Sequence, residues 1–220
     1  KDGEAAEHQR LKAAVTSAEA ELRETREAAG HRFREWLEAG GFTFPDPAPI
    51  MRLPLDTLAD GKTAEAVADR TTKLNGAPDL PVAEDTDRGM AVRFSGDNSI
   101  EVAETGGYGR SDAFSAALWL QAPAFQPRQV VLHYSRARED AGSRGWALEL
   151  DEGRPTMRLA HFWPGNAIEV RAIAPLPAGQ WAHVAAAYDG SSRADGVSLY
   201  VNGRAVATET VRDNLYKDIT

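Results

Sequence analysis

The sequence predicts a mainly β protein, an antiparallel sandwich or barrel, preceded by an N-terminal helical segment. Three observations carry this reading. Helical spacing of apolar residues is confined to residues 4–39. From about residue 50 the apolar period changes to two. The alternating segments that follow are short and are separated by clusters rich in Gly, Asn and Asp. No strand–helix–strand alternation and no tandem repeat interrupts them.

Within residues 4–39 the apolar positions Leu11, Val15, Ala18, Leu22, Ala29, Phe33, Trp36 and Leu37 recur at three- and four-residue steps. Ala, Glu and Arg fill the intervening positions and favour helix. Gly40-Gly41 is the expected stop. The stripe predicts docking, on its own domain or on a neighbour outside this chain, with Leu11, Leu22, Phe33 and Trp36 on the buried side; as a homodimeric coiled coil the seam is short. Residues 42–53 read as a stiff connector, because Pro45, Pro47 and Pro49 forbid helix and favour extended chain. Phe42, Phe44 and Ile50 predict that it packs along the next domain. The expected organisation is a helical segment at 1–41, a Pro-rich connector at 42–53 and a β domain at 54–220.

Met90–Phe94 and Ser99–Ala103 alternate on either side of the turn cluster Ser95-Gly96-Asp97-Asn98. Phe114, Ala116, Leu118 and Leu120 share one phase, as do Val130, Leu132 and Tyr134. Trp146, Leu148 and Leu150 lead into the hairpin turn Asp151-Glu152-Gly153-Arg154. Met157, Leu159 and His161 follow, then the turn Trp163-Pro164-Gly165-Asn166 and a return through Ile168 and Val170. Ala182, Val184, Ala186 and Tyr188 alternate before Asp189-Gly190, and Val197, Leu199 and Val201 end at Asn202-Gly203, the strongest hairpin signal in the chain. The predicted core is Leu118, Leu120, Leu132, Leu148, Leu150, Leu159, Val184 and Leu199.

Composition narrows the function classes. The chain has 220 residues, 42% hydrophobic and 26% charged, with a net charge of −8. That balance supports a folded core and argues against a nucleic-acid partner, whose backbone demands a basic field. No apolar run reaches the length of a membrane helix. Cysteine is absent, which excludes disulfides, thiolate metal sites and covalent haem attachment within the chain. Lys1 is not an initiating methionine and no signal-peptide pattern opens the sequence, so the chain reads as a piece of a longer protein.

Gly89-Met-Ala-Val-Arg-Phe94-Ser-Gly96, Phe114-Ser-Ala-Ala-Leu-Trp119-Leu120, Trp181-Ala-His183-Val184 through Tyr188-Asp189-Gly190, and Leu199-Tyr-Val-Asn202-Gly203-Arg204 together resemble the laminin-G/concanavalin A-like domain. The resemblance spans roughly residues 50–210 and implies a two-sheet jelly-roll sandwich. A narrower likeness is carried by Asp140–Trp146, His161–Asn166, Asp189–Arg193 and Val211–Ile219, which resemble the laminin-G-like insert of planctomycete-type cytochrome c multidomain proteins. It implies an extracytoplasmic setting. Haem would belong to other parts of such a parent, because the Cys-x-x-Cys-His motif is missing here.

Candidate ligand residues come from the strand phase opposite the core: Trp119, Val131, His133, Ala147, Glu149, Arg158, Ala160, Trp181, His183, Ser198 and Tyr200. On one shared sheet they would line a concave face, where rings stack on sugars and polar groups fix hydroxyls. Trp119, His133 and Tyr200 are its ligand candidates. The alternative is that the linker or helix covers this face. His161, Trp163 and Asn166 at the next hairpin tip, with Arg144, form a second candidate cluster. Here too an alternative stands, in which Trp163 folds back under a cation–π contact from Arg144. Five lysines among 25 basic residues leave 20 arginines. Those between Arg128 and Arg171 suit either an anionic glycan or surface ion pairs with Glu139, Asp140, Glu149, Asp151 and Glu152.

Glu149 and Asp151 share a face but lack the third acid of the jelly-roll glycosidases, which resemble this fold; Gly153 stands there. No nucleophile-elbow, phosphate-loop or zinc-protease motif is present, and the chain is expected not to be an enzyme. No cofactor is expected in the chain itself. Asp97 and Asn98 sit where some laminin-G-like domains hold calcium, and equally where a plain turn needs them. The two expectations from different classes are a glycan-recognition module that binds polysaccharide, including anionic polymers, and an interaction domain that positions neighbouring domains of its own polypeptide.

Overall fold

The computed structural model describes residues 2–39, 49–56, 58–59, 62–63, 72–103, 107–136 and 142–220. The chain divides into two compact units, residues 1–49 and 50–220. Gly40-Gly41, the connector through 48 with Phe42, Phe44, Pro45 and Pro47, and Glu139 and Asp140 lie outside the described residues.

The first unit holds α1 (Asp2–Glu38). The helix forms where spacing and propensity predict it, and among the described residues its apolar stripe finds no cover within its own unit. Leu11, Val15, Leu22, Phe33 and Trp36 are all exposed, Trp36 least at 39%. The physical reason is that, among the described residues, its unit contains no second element to cover the stripe. Phe33 and Trp36 shield one another instead, stacked at 5.6 Å between ring centres.

The second unit is a mainly β, antiparallel two-sheet sandwich with small two-stranded ribbons. The ribbons are β1 (Leu58–Ala59) with β2 (Lys62–Thr63), β3 (Thr72–Asn75) with β6 (Ser99–Val102), and β4 (Val82–Thr86) with β5 (Gly89–Arg93). The segments flanking the turn at 95–98 thus pair with earlier strands and not with each other. The main strands are β7 (Phe114–Gln121), β8 (Gln129–Ser135), β9 (Gly145–Asp151), β10 (Arg154–Phe162) and β11 (Asn166–Ala172). They continue with β12 (Trp181–Tyr188), β13 (Val197–Val201), β14 (Arg204–Ala205) and β15 (Thr208–Asp213). One sheet has the order β15-β11-β10-β9-β8 and the other β14-β13-β12-β7.

Turn chemistry fixes the register. Glu152-Gly153 and Asn202-Gly203 both adopt positive φ, the geometry of the primed two-residue turns that match strand twist. Gly145 is needed for a different reason: a Cβ there would sit 2.0 Å from the Tyr134 carbonyl oxygen.

The core lies between the two main sheets. Leu148, Leu150, Leu159, Val184 and Leu199 are buried in it. Leu118, Leu120 and Leu132 are only partly buried against it. They belong to β7 and β8, each at the edge of its sheet, so one flank of each side chain lacks a neighbouring strand. A bulge between Val130 and Leu132 also shifts the phase of β8. Val131 packs toward the core while Val130 and Tyr134 are exposed, the reverse of strict alternation.

The segment after β15 returns to the sandwich. Leu215 and Ile219 enter the core. Asn166 Oδ1 accepts the Tyr216 and Lys217 N–H groups at 3.2 Å. Asp218 Oδ1 accepts the Arg110 N–H at 3.0 Å and the Ile219 N–H at 2.7 Å. These bonds, Arg110 first, hold the Asp218 carboxyl below its ordinary range against a smaller opposing effect of burial. A depressed acid stabilises the fold above its unfolded value, and that share is lost as pH falls through the folded value. Asp218→Asn is therefore expected to melt below wild type at neutral pH, the gap closing as pH falls through the ordinary carboxylate range and below it. A constant gap in melting curves across that range would contradict it.

Candidate functional site

The sequence reading placed the outward-facing residues on one concave face if their strands shared a sheet. The structure divides them between two sheets. Trp119, Trp181, His183, Ser198 and Tyr200 belong to the four-stranded sheet, and His133, Ala147, Glu149, Arg158 and Ala160 to the five-stranded one.

The five-stranded face is a closed ion-pair network. Arg128 donates to both Glu149 oxygens, at 2.6 and 3.0 Å. Arg158 donates to Glu149 at 3.2 Å and to Glu169 at 2.7 Å. Beside it Asp151 and Glu209 bind Arg171, with Arg154 near both carboxylates. The arginines between 128 and 171 in these pairs are engaged by the protein's own carboxylates, as the ion-pair reading of that cluster expects. Glu149, only 1% exposed, lies between the Arg128 and Arg158 guanidinium groups.

The hairpin-tip cluster is a lock. Trp163 folds back over Arg158, whose guanidinium carbon lies 4.3 Å from the ring centre, with Arg212 at 5.9 Å. The stacked cation is Arg158 and not Arg144. Arg144 donates to the His161 backbone oxygen at 3.3 Å and meets its Nε2 at 3.0 Å. The other ring nitrogen, Nδ1, meets the Asp218 carbonyl at 2.5 Å. A guanidinium only donates and a carbonyl only accepts, so His161 carries its proton on Nδ1. Asn166 is buried, with Oδ1 spent on the tail. The ring nitrogens of His161 and the Oδ1 of Asn166 are thus turned to the fold and not to solvent. The sequence grouped Arg144 with His161 but offered no sign of the partners that arrive from residues 216–218.

His133 is exposed on the edge strand β8, its ring 3.0 Å from Ser135 Oγ, apart from the other candidates. Asn98 closes its own turn: Oδ1 accepts the Ser95 N–H at 3.0 Å and Nδ2 donates to the Asp79 carbonyl at 3.1 Å. Asp97 lies in the same turn, its N–H on Ser95 Oγ at 3.4 Å. Among the described residues no three His, Asp or Glu side chains gather as metal ligands.

An open groove remains, on the outer face of the four-stranded sheet. It encloses about 580 Å3 and is lined by Arg88, Trp119, Trp181, His183, Asn202 and Gly203. Trp119 and His183 are register partners on β7 and β12, and their rings meet edge to face at 5.3 Å. Asn202 clasps His183 from the far side, its Oδ1 accepting the His183 N–H at 2.9 Å and its N–H donating to the His183 carbonyl at 2.8 Å. The turn between β4 and β5 closes one end. Asp87 accepts the Trp181 indole N–H at 2.9 Å, and the Arg88 guanidinium lies 4.0 Å from the Trp119 ring centre. A ribbon turn thus meets this face, yet Trp119 stays 49% exposed. Tyr200 shares the face but pairs with Ala185, one row beyond His183 and outside the groove lining.

The phase argument found Trp119, Trp181 and His183. Arg88 was missed, because only the docking of a ribbon brings it there. Asn202 was read as a turn residue alone.

Among the described residues no helix is long and apolar enough to cross a membrane. The profile of the concanavalin A-like lectin/glucanases superfamily matches residues 94–219. Mouse (Mus musculus) pappalysin-1 is 31% identical over 109 residues, covering 44% of this chain and 6% of pappalysin-1. The chain therefore matches a small part of that relative's length. With two antiparallel sheets packed face to face and the matched region running through the returning tail, the chain belongs to the concanavalin A-like lectin/glucanases superfamily, as a laminin G-type domain.

Proposed function

We propose that this domain is a non-catalytic carbohydrate-recognition module of a larger extracytoplasmic protein, and that the Trp119 groove is its site. The observation that carries the proposal is a half-exposed indole beside an imidazole and an amide, on an open sheet face. Ring surface takes the apolar face of a sugar, and fixed polar groups hold its hydroxyls. Superfamily membership is consistent with this, since such domains bind carbohydrates or mediate protein interactions. The non-catalytic reading is supported by Glu149. A glycosidase needs two carboxyl groups that reach the glycosidic bond, and both oxygens of Glu149 are engaged by Arg128 and Arg158 in a buried network.

A glycan array on the full chain tests the reading, with Trp119→Ala as the control. Loss of a central aromatic contact is expected to weaken binding by about 2 kcal/mol, or roughly thirtyfold. The melting temperature should move little, since half of the ring is already in water. Array binding that survives Trp119→Ala would move the site elsewhere. Sugar release abolished by Glu149→Gln would overturn the assignment.

A further inference from the structure

The polar groups free to meet a ligand in the groove are unbalanced. The Asn202 acceptor, Oδ1, is spent on the His183 N–H, while Nδ2 has no partner among the described residues. Asp87, beside the groove, gives Oδ1 to the Trp181 indole. Among the described residues no carboxylate lines the groove.

Arg88 is held in an unusual way. Arg128, Arg154, Arg158 and Arg171 are each fixed by carboxylates. The Arg88 guanidinium has no ion pair or hydrogen bond among the described residues; it is fixed by stacking on Trp119. Guanidinium N–H groups all lie in the plane of the group. A contact with a ring uses no oxygen or nitrogen acceptor, so the fork keeps its donors for a ligand while the ring holds it in place.

We infer that the groove recognises an acidic glycan, with Arg88 receiving the carboxylate of a uronate residue and the Asn202 amide donating beside it. The inference rests on the carbohydrate reading above and adds the chemical class. A planar fork complements a planar carboxylate through two parallel N–H···O bonds. The overall charge of −8 makes general attraction to a polyanion unfavourable, so retention of an acidic polymer would report the local site.

The test uses the full chain in affinity electrophoresis against polygalacturonate, its fully methyl-esterified form, dextran sulfate and poly-glutamate. Polygalacturonate is expected to bind at least about tenfold tighter than the ester, which keeps the backbone and removes the charge. Arg88→Gln should bring polygalacturonate down to the level of the ester. Equal retention of the two polymers, or no effect of Arg88→Gln, would overturn the inference and leave the carbohydrate reading standing. Preference for dextran sulfate would overturn the uronate assignment. Equal affinity for poly-glutamate would replace the glycan by an acidic peptide. Retention of none of these polymers, with an empty glycan array, would sink both readings together.

Discussion

Arg158→Met is expected to destabilise the domain by about 3–5 kcal/mol, the cost of leaving a buried charge without its partner. Arg158 is 7% exposed and stands between Glu149 and Glu169. The two carboxylates are not equally exposed to its loss. Glu149 keeps Arg128, whereas Glu169, 5% exposed, pairs with Arg158 among the described residues. Trp163 also loses the cation beneath its ring. At about 2–4 °C per kcal/mol for a domain of this size, the melting temperature should fall by roughly 6–20 °C. The double variant Arg158→Met with Glu169→Gln separates charge from packing. Removing both partners avoids the orphaned carboxylate, so the double variant should be more stable than the single one. A double variant that melts below the single one would show that packing against Trp163, and not ion pairing, sets the cost.

Leu159→Ala is expected to cost about 2–5 kcal/mol, measured by urea unfolding. Leu159 is fully buried at the centre of the five-stranded sheet, between Trp146 and Ile168 in register. Neighbouring strands on both sides hold the backbone in place, so the cavity cannot collapse freely. Leu118→Ala makes the comparison. On the edge strand β7 the vacated space opens toward solvent and the loss should be smaller. Equal losses at the two positions would mean that the edge is covered.

The comparison marks how far the sequence was legible. Alternation and the Asn202-Gly203 and Glu152-Gly153 turns were sufficient to find the main strands, because those signals are local. β15 escaped notice, as its Thr208–Asp213 composition is polar and it is defined by pairing with β11. The short ribbons were beyond local reasoning too: nothing near Ser99–Val102 announces a partner at Thr72–Asn75. The site divides the same way. Strand phase turned Trp119 and His183 outward, a consequence of the pleat alone. Which outward residues stay available depends on what arrives from elsewhere in the chain. The tail claimed Asn166 and His161, Arg158 claimed Trp163, and the ribbon turn delivered Arg88.

The returning tail also sets an order of events during synthesis. Leu215 and Ile219 complete the interior, and Asp218 meets Arg110 from 108 positions away. A nascent chain that has exposed only the first strands of the sandwich therefore has an unfinished hydrophobic interior. Closure has to wait until residue 219 has cleared the ribosome, and such distant pairing is slow to find. Until then β8 to β11 present apolar surface to whatever is nearby, the condition under which incompletely folded chains aggregate.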